Sequence, residues 1–150
     1  MIYPDNFEQK IEFTRVRQLI ADRCLSPLGR EKAEEMRFSA SFTEIDALLA
    51  QTEEYVRILV EEDAFPAGNF YDMRPVLYRI RLEGSWIDQS ALFELRRSLQ
   101  TINGIIAFLR RDLENPRYPR LMELTGDIAT YPEITRKIDT ILDSFGQVKD

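Results

Sequence analysis

Glu61, Glu62 and Asp63 stand side by side, and clustered carboxylates are the oxygen donors a hard divalent cation takes. On a helix, consecutive residues project about 100° apart, so the three converge on one ion only through an irregular turn. No second acidic cluster is placed to complete such a site. A charged helix end is therefore expected here in place of a metal-dependent nuclease centre. The chain has no histidine, which removes the commonest general base and the commonest metal ligand. Its single cysteine, Cys24, cannot build a Cys/His zinc site or an internal disulfide. On an apolar helix face Cys24 reads as a packing residue. Neither G-x-x-x-x-G-K-S/T nor G-x-G-x-x-G occurs, so no phosphate cradle is recognisable. No catalytic, cofactor-binding or metal-ligating residue is assigned.

Basic side chains offer a different chemistry. Arg96 and Arg97 recur fourteen residues later as Arg110 and Arg111. On one continuous helix these pairs occupy equivalent heptad positions along one side, about 21 Å apart. Asn103 and Gly104 lie between them, where a backbone can be approached closely. The four arginines form the candidate surface for phosphates or an acidic partner, set against the alternative of a solvated face mixed with Glu94 and Asp112. Phe65, Phe70, Tyr71 and Trp86 gather near loops. They either stack on bases or, as aromatics beside Pro and Gly commonly do, plug the ends of a helical bundle.

The elements that would position these groups are helical. A chain of 150 residues with 44% hydrophobic and 31% charged content fits one globular domain over residues 1–150. No apolar run reaches the roughly 18 residues of a membrane span, and MIYPDNFEQK lacks the apolar centre of a signal peptide. A reduced, cytoplasmic setting is expected. The net charge of −6 opposes nonspecific attraction to nucleic acid. All of that excess lies in residues 1–75, while residues 76–150 balance eleven bases with eleven acids.

From Ile11 to Met36 the pattern predicts two helices around a tight joint. Thr14 is placed to cap the first, which carries Val16, Leu19, Ile20 and Cys24. Ser26 caps the second, with Pro27 at its first position and Leu28, Ala33 and Met36 continuing an apolar stripe. Ser41 and Glu44 read as a capping box opening a helix from about Thr43 to Glu62. Its apolar set is Ile45, Leu48, Leu49, Thr52, Tyr55, Val56 and Leu59. DAFPAGNFYD breaks that helix. Asp72 caps a short one with Pro75 in its first turn and Val76, Leu77 and Ile80 inside, and Gly84 closes it. Asp88 caps the longest, running to about Asp112 and spanning about 36 Å. Leu92, Leu95, Leu99, Ile102, Ile106, Leu109 and Leu113 form its a/d seam. Phe93, Ile105 and Phe108 broaden that face, which favours core packing over pairing with another chain. Pro116, Pro119 and Pro132 punctuate shorter helices, the last marked by Ile134, Ile138, Ile141 and Leu142. The end, Phe145 to Asp150, reads as the start of a strand or loop. The fold class expected is all-α, a helical bundle.

The order of these motifs resembles the opening of the second, recombination-suppressing branch of the MutS family. That branch begins with an apolar–acidic–Phe entry, here Ile11, Glu12 and Phe13, then a Ser-Pro-Leu-Gly joint, here Ser26, Pro27, Leu28 and Gly29. Asp72-Met-Arg-Pro75 is similar to its D-I-R-P segment. Gly84 to Asp88, leading into LFELRRSLQTINGIIAFL, resembles its long arginine-containing helix. Gly146 to Asp150 is similar to the segment before its clamp helices. The resemblance implies an amino-terminal core or lever segment of a longer homodimeric ATPase. Such proteins carry a coiled-coil clamp, a P-loop domain binding ATP and Mg, and often a C-terminal Smr nuclease domain. They act on branched or mismatched DNA and suppress homologous recombination, and some act on stalled ribosomes. None of their active residues matches a position of this chain. The alternatives are a helical adaptor binding another protein through the long seam, and an enzyme with an unfamiliar acidic site.

Overall fold

The computed structural model describes residues 6–149; Met1 to Asp5 of the opening segment and Asp150 at the end lie outside the described residues. Within that range the protein is all-α, with eight helices and no strand. They are α1 (Phe7–Lys10), α2 (Phe13–Ala21), α3 (Pro27–Glu34), α4 (Phe42–Glu61), α5 (Arg74–Arg79), α6 (Gln89–Leu109), α7 (Pro119–Glu123) and α8 (Pro132–Ile141). None of them is long and apolar enough to cross a membrane. The chain divides after Phe38 into two compact units.

The first unit contains α1–α3. Ser26 caps α3 as its spacing predicts: its Oγ accepts the Gly29 N–H at 3.0 Å, and Pro27 occupies the first position. The predicted Thr14 cap of α2 is not formed. Glu12 is the N-cap, with φ of 58° in the left-handed region, and no side chain bonds to the helix start. Small residues make the joint close: Ala21 and Ala33 are buried, and α2 packs on α3. Val16, Leu19 and Ile20 stay exposed. Cys24 is half-buried, its thiol donating to the Ile20 carbonyl at 3.4 Å. Phe7 meets Phe38 edge-on at 5.7 Å, and Arg17 pairs with Glu8 at 2.7 Å while lying over the Phe13 ring.

The second unit is organised by α4 and α6. Ser41 caps α4, accepting the Glu44 N–H at 3.3 Å. The reciprocal half of the capping box is relayed. Glu44 accepts the Ser39 hydroxyl, whose oxygen accepts the Ser41 N–H at 3.1 Å. Asp88 caps α6 through the Ala91 N–H at 2.9 Å. Asp72 sits one residue before the α5 cap position, held by Met73, and accepts the Arg74 N–H at 3.1 Å. Arg74 also donates through its guanidinium, and these bonds hold the Asp72 carboxyl below its usual range. Gly84 takes φ of +76° at the following turn.

The core is Ile58 of α4, Leu109 of α6 and Tyr118, surrounded by Phe65, Ile105, Phe108, Leu121 and Met122. Phe108 stacks on Tyr118 at 6.0 Å and takes Phe65 edge-on at 5.2 Å. Of the seam predicted for α6, Ile106 and Leu109 are buried and Leu92, Leu95 and Leu99 half-buried, while Ile102 is exposed. Leu113 lies beyond the helix and is exposed. The large apolar side chains of α4 face the other way. Ile45, Leu48, Leu49, Tyr55, Val56 and Leu59 are all exposed, and Glu54 and Ile58 form the buried side. Their periodicity is helical as predicted, but in this chain it does not mark the packed face.

After α8, Asp143 Oδ1 accepts the N–H groups of Phe145 and Gln147 at 2.8 Å each. The turn brings Leu142 and Val148 together in an isolated antiparallel bridge.

Candidate functional site

Of the acidic trio at the end of α4, Glu61 and Glu62 anchor arginines. Glu62 accepts both terminal nitrogens of Arg111 at 3.1 and 2.5 Å, Arg117 at 2.7 Å and the Tyr118 hydroxyl at 3.0 Å. Glu61 takes the other Arg117 nitrogen at 2.7 Å and lies 3.7 Å from Arg57. The bonds from Arg111 hold the Glu62 carboxyl below its usual range, against the opposing effect of desolvation. Burial pushes the Tyr118 phenol up, and donation to Glu62 adds to that. Such a carboxylate is fixed as the anion, with its acceptor capacity spent on its neighbours. It ties α4 to the segment after α6 and is not poised to shuttle protons. Among the described residues no group of three or more His, Cys, Asp or Glu is gathered to hold a metal ion.

The four candidate arginines do not form one free basic face. α6 ends at Leu109, so Arg110 is its C-cap residue and Arg111 lies past it. Arg96 is buried. It pairs with Asp139 of α8 at 3.3 Å and donates to the carbonyls of Asp143 at 2.8 Å and Ser144 at 3.4 Å. Arg110 Nε donates to Thr125 Oγ1 at 2.9 Å, and its Nη2 donates to the Thr125 carbonyl. Arg111 holds Glu62. Arg97 is half-buried with its guanidinium 5.2 Å from the Phe93 ring centre. Three of the four thus direct donors into the fold. The close approach expected at Gly104 is made by the chain itself: a Cβ there would lie 3.3 Å from Pro66 Cγ.

The aromatics divide similarly. Phe65 is inserted between Tyr55 and Phe108, Phe70 and Tyr71 are half-buried, and Trp86 is 77% exposed beside Arg79 and Asp88. Residues that sequence spacing did not single out carry much of the architecture, notably Glu54, Arg117 and Asp139. Their partners lie about 40 to 70 residues away, so no local pattern marks them.

No family model matches the chain, and no solved structure matches it. Curated relatives do. Endonuclease MutS2 of Alkaliphilus oremlandii is 29% identical over 140 residues, which is 93% of this chain and 18% of that protein. Endonuclease MutS2 of Alkaliphilus metalliredigens is 26% identical over 140 residues, with the same coverage. Endonuclease MutS2 of a Geobacillus species is 26% identical over 141 residues, again 93% and 18%. The chain spans about a fifth of the length of the relatives it matches. The chain, all-helical over its described residues, is thus similar over nearly its whole length to proteins named Endonuclease MutS2.

Proposed function

We propose that this chain is the amino-terminal, non-catalytic helical core segment of a MutS-like ATPase that acts on branched or mismatched DNA and suppresses homologous recombination. The observation carrying this reading is the match of 93% of the chain to proteins it covers only to 18%. Motif order supports the position within the parent: the Ile11-Glu12-Phe13 entry, the Ser26–Gly29 joint and the Asp72–Pro75 segment follow the order expected of the family's opening. The side chains do not suit ATP and Mg, because the sequence offers no phosphate-binding glycine loop and Glu62 is bound to Arg111 and Arg117. Nucleotide, magnesium and any nuclease chemistry are therefore assigned to the rest of a homodimeric, cytoplasmic parent, as is any action on ribosomes. What this segment contributes is the pair of long helices α4 and α6, joined through the Ile58–Leu109–Tyr118 core.

The test has two arms. Purified chain is assayed for ATP turnover and for cleavage of duplex and four-way-junction DNA with Mg or Mn. Neither activity is expected, and turnover abolished by a point change within the chain overturns the reading. The reading frame around the coding sequence is then determined, and a G-x-x-x-x-G-K-S/T motif downstream is expected.

A further inference from the structure

α4 presents an apolar face that the rest of the second unit leaves largely open, Phe65 meeting it only at Tyr55. Phe42 (81% exposed), Leu49 (64%), Leu59 (61%) and Val60 (80%) lie on it, with Ile45, Leu48, Tyr55 and Val56 also exposed. At about 100° per residue these side chains fill an arc of about 140°, which starts about 60° from Ile58 at Tyr55 and runs to the far side of the helix. Phe42, Ile45, Leu49, Thr52, Val56 and Leu59 follow alternating steps of three and four, the spacing of a knobs-into-holes seam, along a helix about 30 Å long. Within the second unit α4 thus carries an unpartnered seam, whereas the seam on α6 buries Ile106 and Leu109 internally. A contiguous apolar face of this extent marks an interaction surface.

The borders of the stripe state what it accepts. Asp46 and Glu53 follow Phe42 and Val60 around the helix on one side, and Glu44 flanks Leu48 on the other. Asp46 and Glu53 are exposed and unpaired among the described residues. Arg57, the one base of α4, is turned to Glu61 and over the Tyr118 ring, so it leaves that acidic border uncompensated. We propose that this face of α4 docks an amphipathic partner helix whose apolar seam is flanked by lysine or arginine. A second copy of the chain fits less well. Pairing α4 with itself sets Asp46 and Glu53 against Leu48 and Tyr55 or against one another, and supplies no base to meet them. An anionic membrane is disfavoured by the same acidic borders. The inference stands on α4 alone and does not depend on the MutS-like reading.

The probe is a fluorescently labelled 28-residue helical peptide with leucine at its a and d positions and lysine at e and g, compared with an otherwise identical peptide carrying glutamate there. Binding to the full 150-residue chain is followed by anisotropy at 50 and 300 mM salt. Saturable binding of the lysine peptide is expected, at least tenfold tighter than the glutamate peptide and weakened at high salt. Leu49→Asp/Val56→Asp should abolish it, and Asp46→Lys/Glu53→Lys should invert the preference between peptides. Both double variants alter exposed positions, and circular dichroism verifies their fold. Equal affinity for the two peptides, or unchanged binding by Leu49→Asp/Val56→Asp, overturns the proposal. So does concentration-dependent self-association lost in Leu49→Asp/Val56→Asp, which would give the face to a second copy. Binding of anionic vesicles in preference to the lysine peptide also overturns it.

Discussion

Glu54 caps a helix that lies 66 residues away. Its two carboxylate oxygens accept the backbone N–H groups of Arg120 at 3.1 Å and Leu121 at 2.9 Å, at the start of α7. α7 has no cap of its own: Tyr118 stands at the N-cap without a side-chain bond, and Pro119 has no N–H to offer. A buried carboxylate from α4 satisfies the orphan donors and places negative charge at the positive end of the short helix. Because Ile58 lies one turn further along the same face, polar cap and apolar core are set by one orientation of α4.

Removing this cap should cost stability without touching the rest of the core. Glu54→Ala is expected to destabilise by about 1–3 kcal/mol, since two part-buried N–H donors lose their acceptor. Glu54→Gln, which keeps one good acceptor, should cost less. Urea unfolding gives the difference, and faster amide exchange at Arg120 and Leu121 localises it.

Acid should loosen the anchor at the end of α4. Bonding from Arg111 lowers the folded-state pKa of Glu62, so its contribution is present above the ordinary carboxylate range and is lost as pH falls through that range. Asp88, lowered first by the Ala91 N–H, and Asp72, lowered first by Arg74, act with the same sign. Unfolding midpoints at pH 7, 5 and 3 should therefore fall, and Glu62→Gln should flatten part of that slope while lowering stability at pH 7.

Gly146 and Gly68 should respond oppositely to the same change. A Cβ at Gly146 would meet Phe93 Cδ2 at 2.7 Å, on a backbone with φ of +82°. Gly146→Ala is expected to cost about 1–3 kcal/mol. Nothing lies within 4 Å of a Cβ at Gly68, so Gly68→Ala should be neutral or slightly stabilising. Thermal melts of the two variants make the comparison.

Truncations along the core should rank by burial. Ile58→Ala should cost about 2–5 kcal/mol, Leu99→Ala at a half-buried position less, and Ile102→Ala on the exposed side least. Melting at two widely separated protein concentrations separates lost packing, which is concentration-independent, from loosened association.

DNA binding by this chain should be weak, with dissociation constants about 10⁻⁴ to 10⁻⁶ M near physiological salt. Arg97→Glu is the informative change, because Arg96, Arg110 and Arg111 hold Asp139, Thr125 and Glu62. Charge reversal at those three should lower the melting temperature first. Electrophoretic mobility with a four-way junction, paired with a melt of each variant, separates surface loss from unfolding. Tight, junction-specific binding removed by Arg97→Glu alone would make Arg97 a DNA contact.

What was legible in advance was local. Ser26, Ser41 and Asp88 each cap a helix by accepting an N–H three residues ahead, so a short window of sequence contains both partners. The all-α class follows from the same caps and from apolar spacing near 3.6 residues. Tertiary structure decided which faces those helices bury. Ile45, Leu49 and Val56 define a stripe by spacing alone, but spacing carries no record of whether its partner lies in the same chain. Glu54 and Ile58 took the inward side because the start of α7 and the Leu109–Tyr118 core are there to receive them. Arg96 and Arg110 keep the helix spacing, the Arg110 N–H still bonding the Ile106 carbonyl at 3.0 Å, but neither guanidinium is free. α6 stops at Leu109, where Arg110 leaves helical geometry with φ −98° and ψ 12° and its guanidinium reaches Thr125. A repeat of fourteen residues fixes where the side chains start, and partners 15 and 49 residues away take up the guanidinium groups of Arg110 and Arg111.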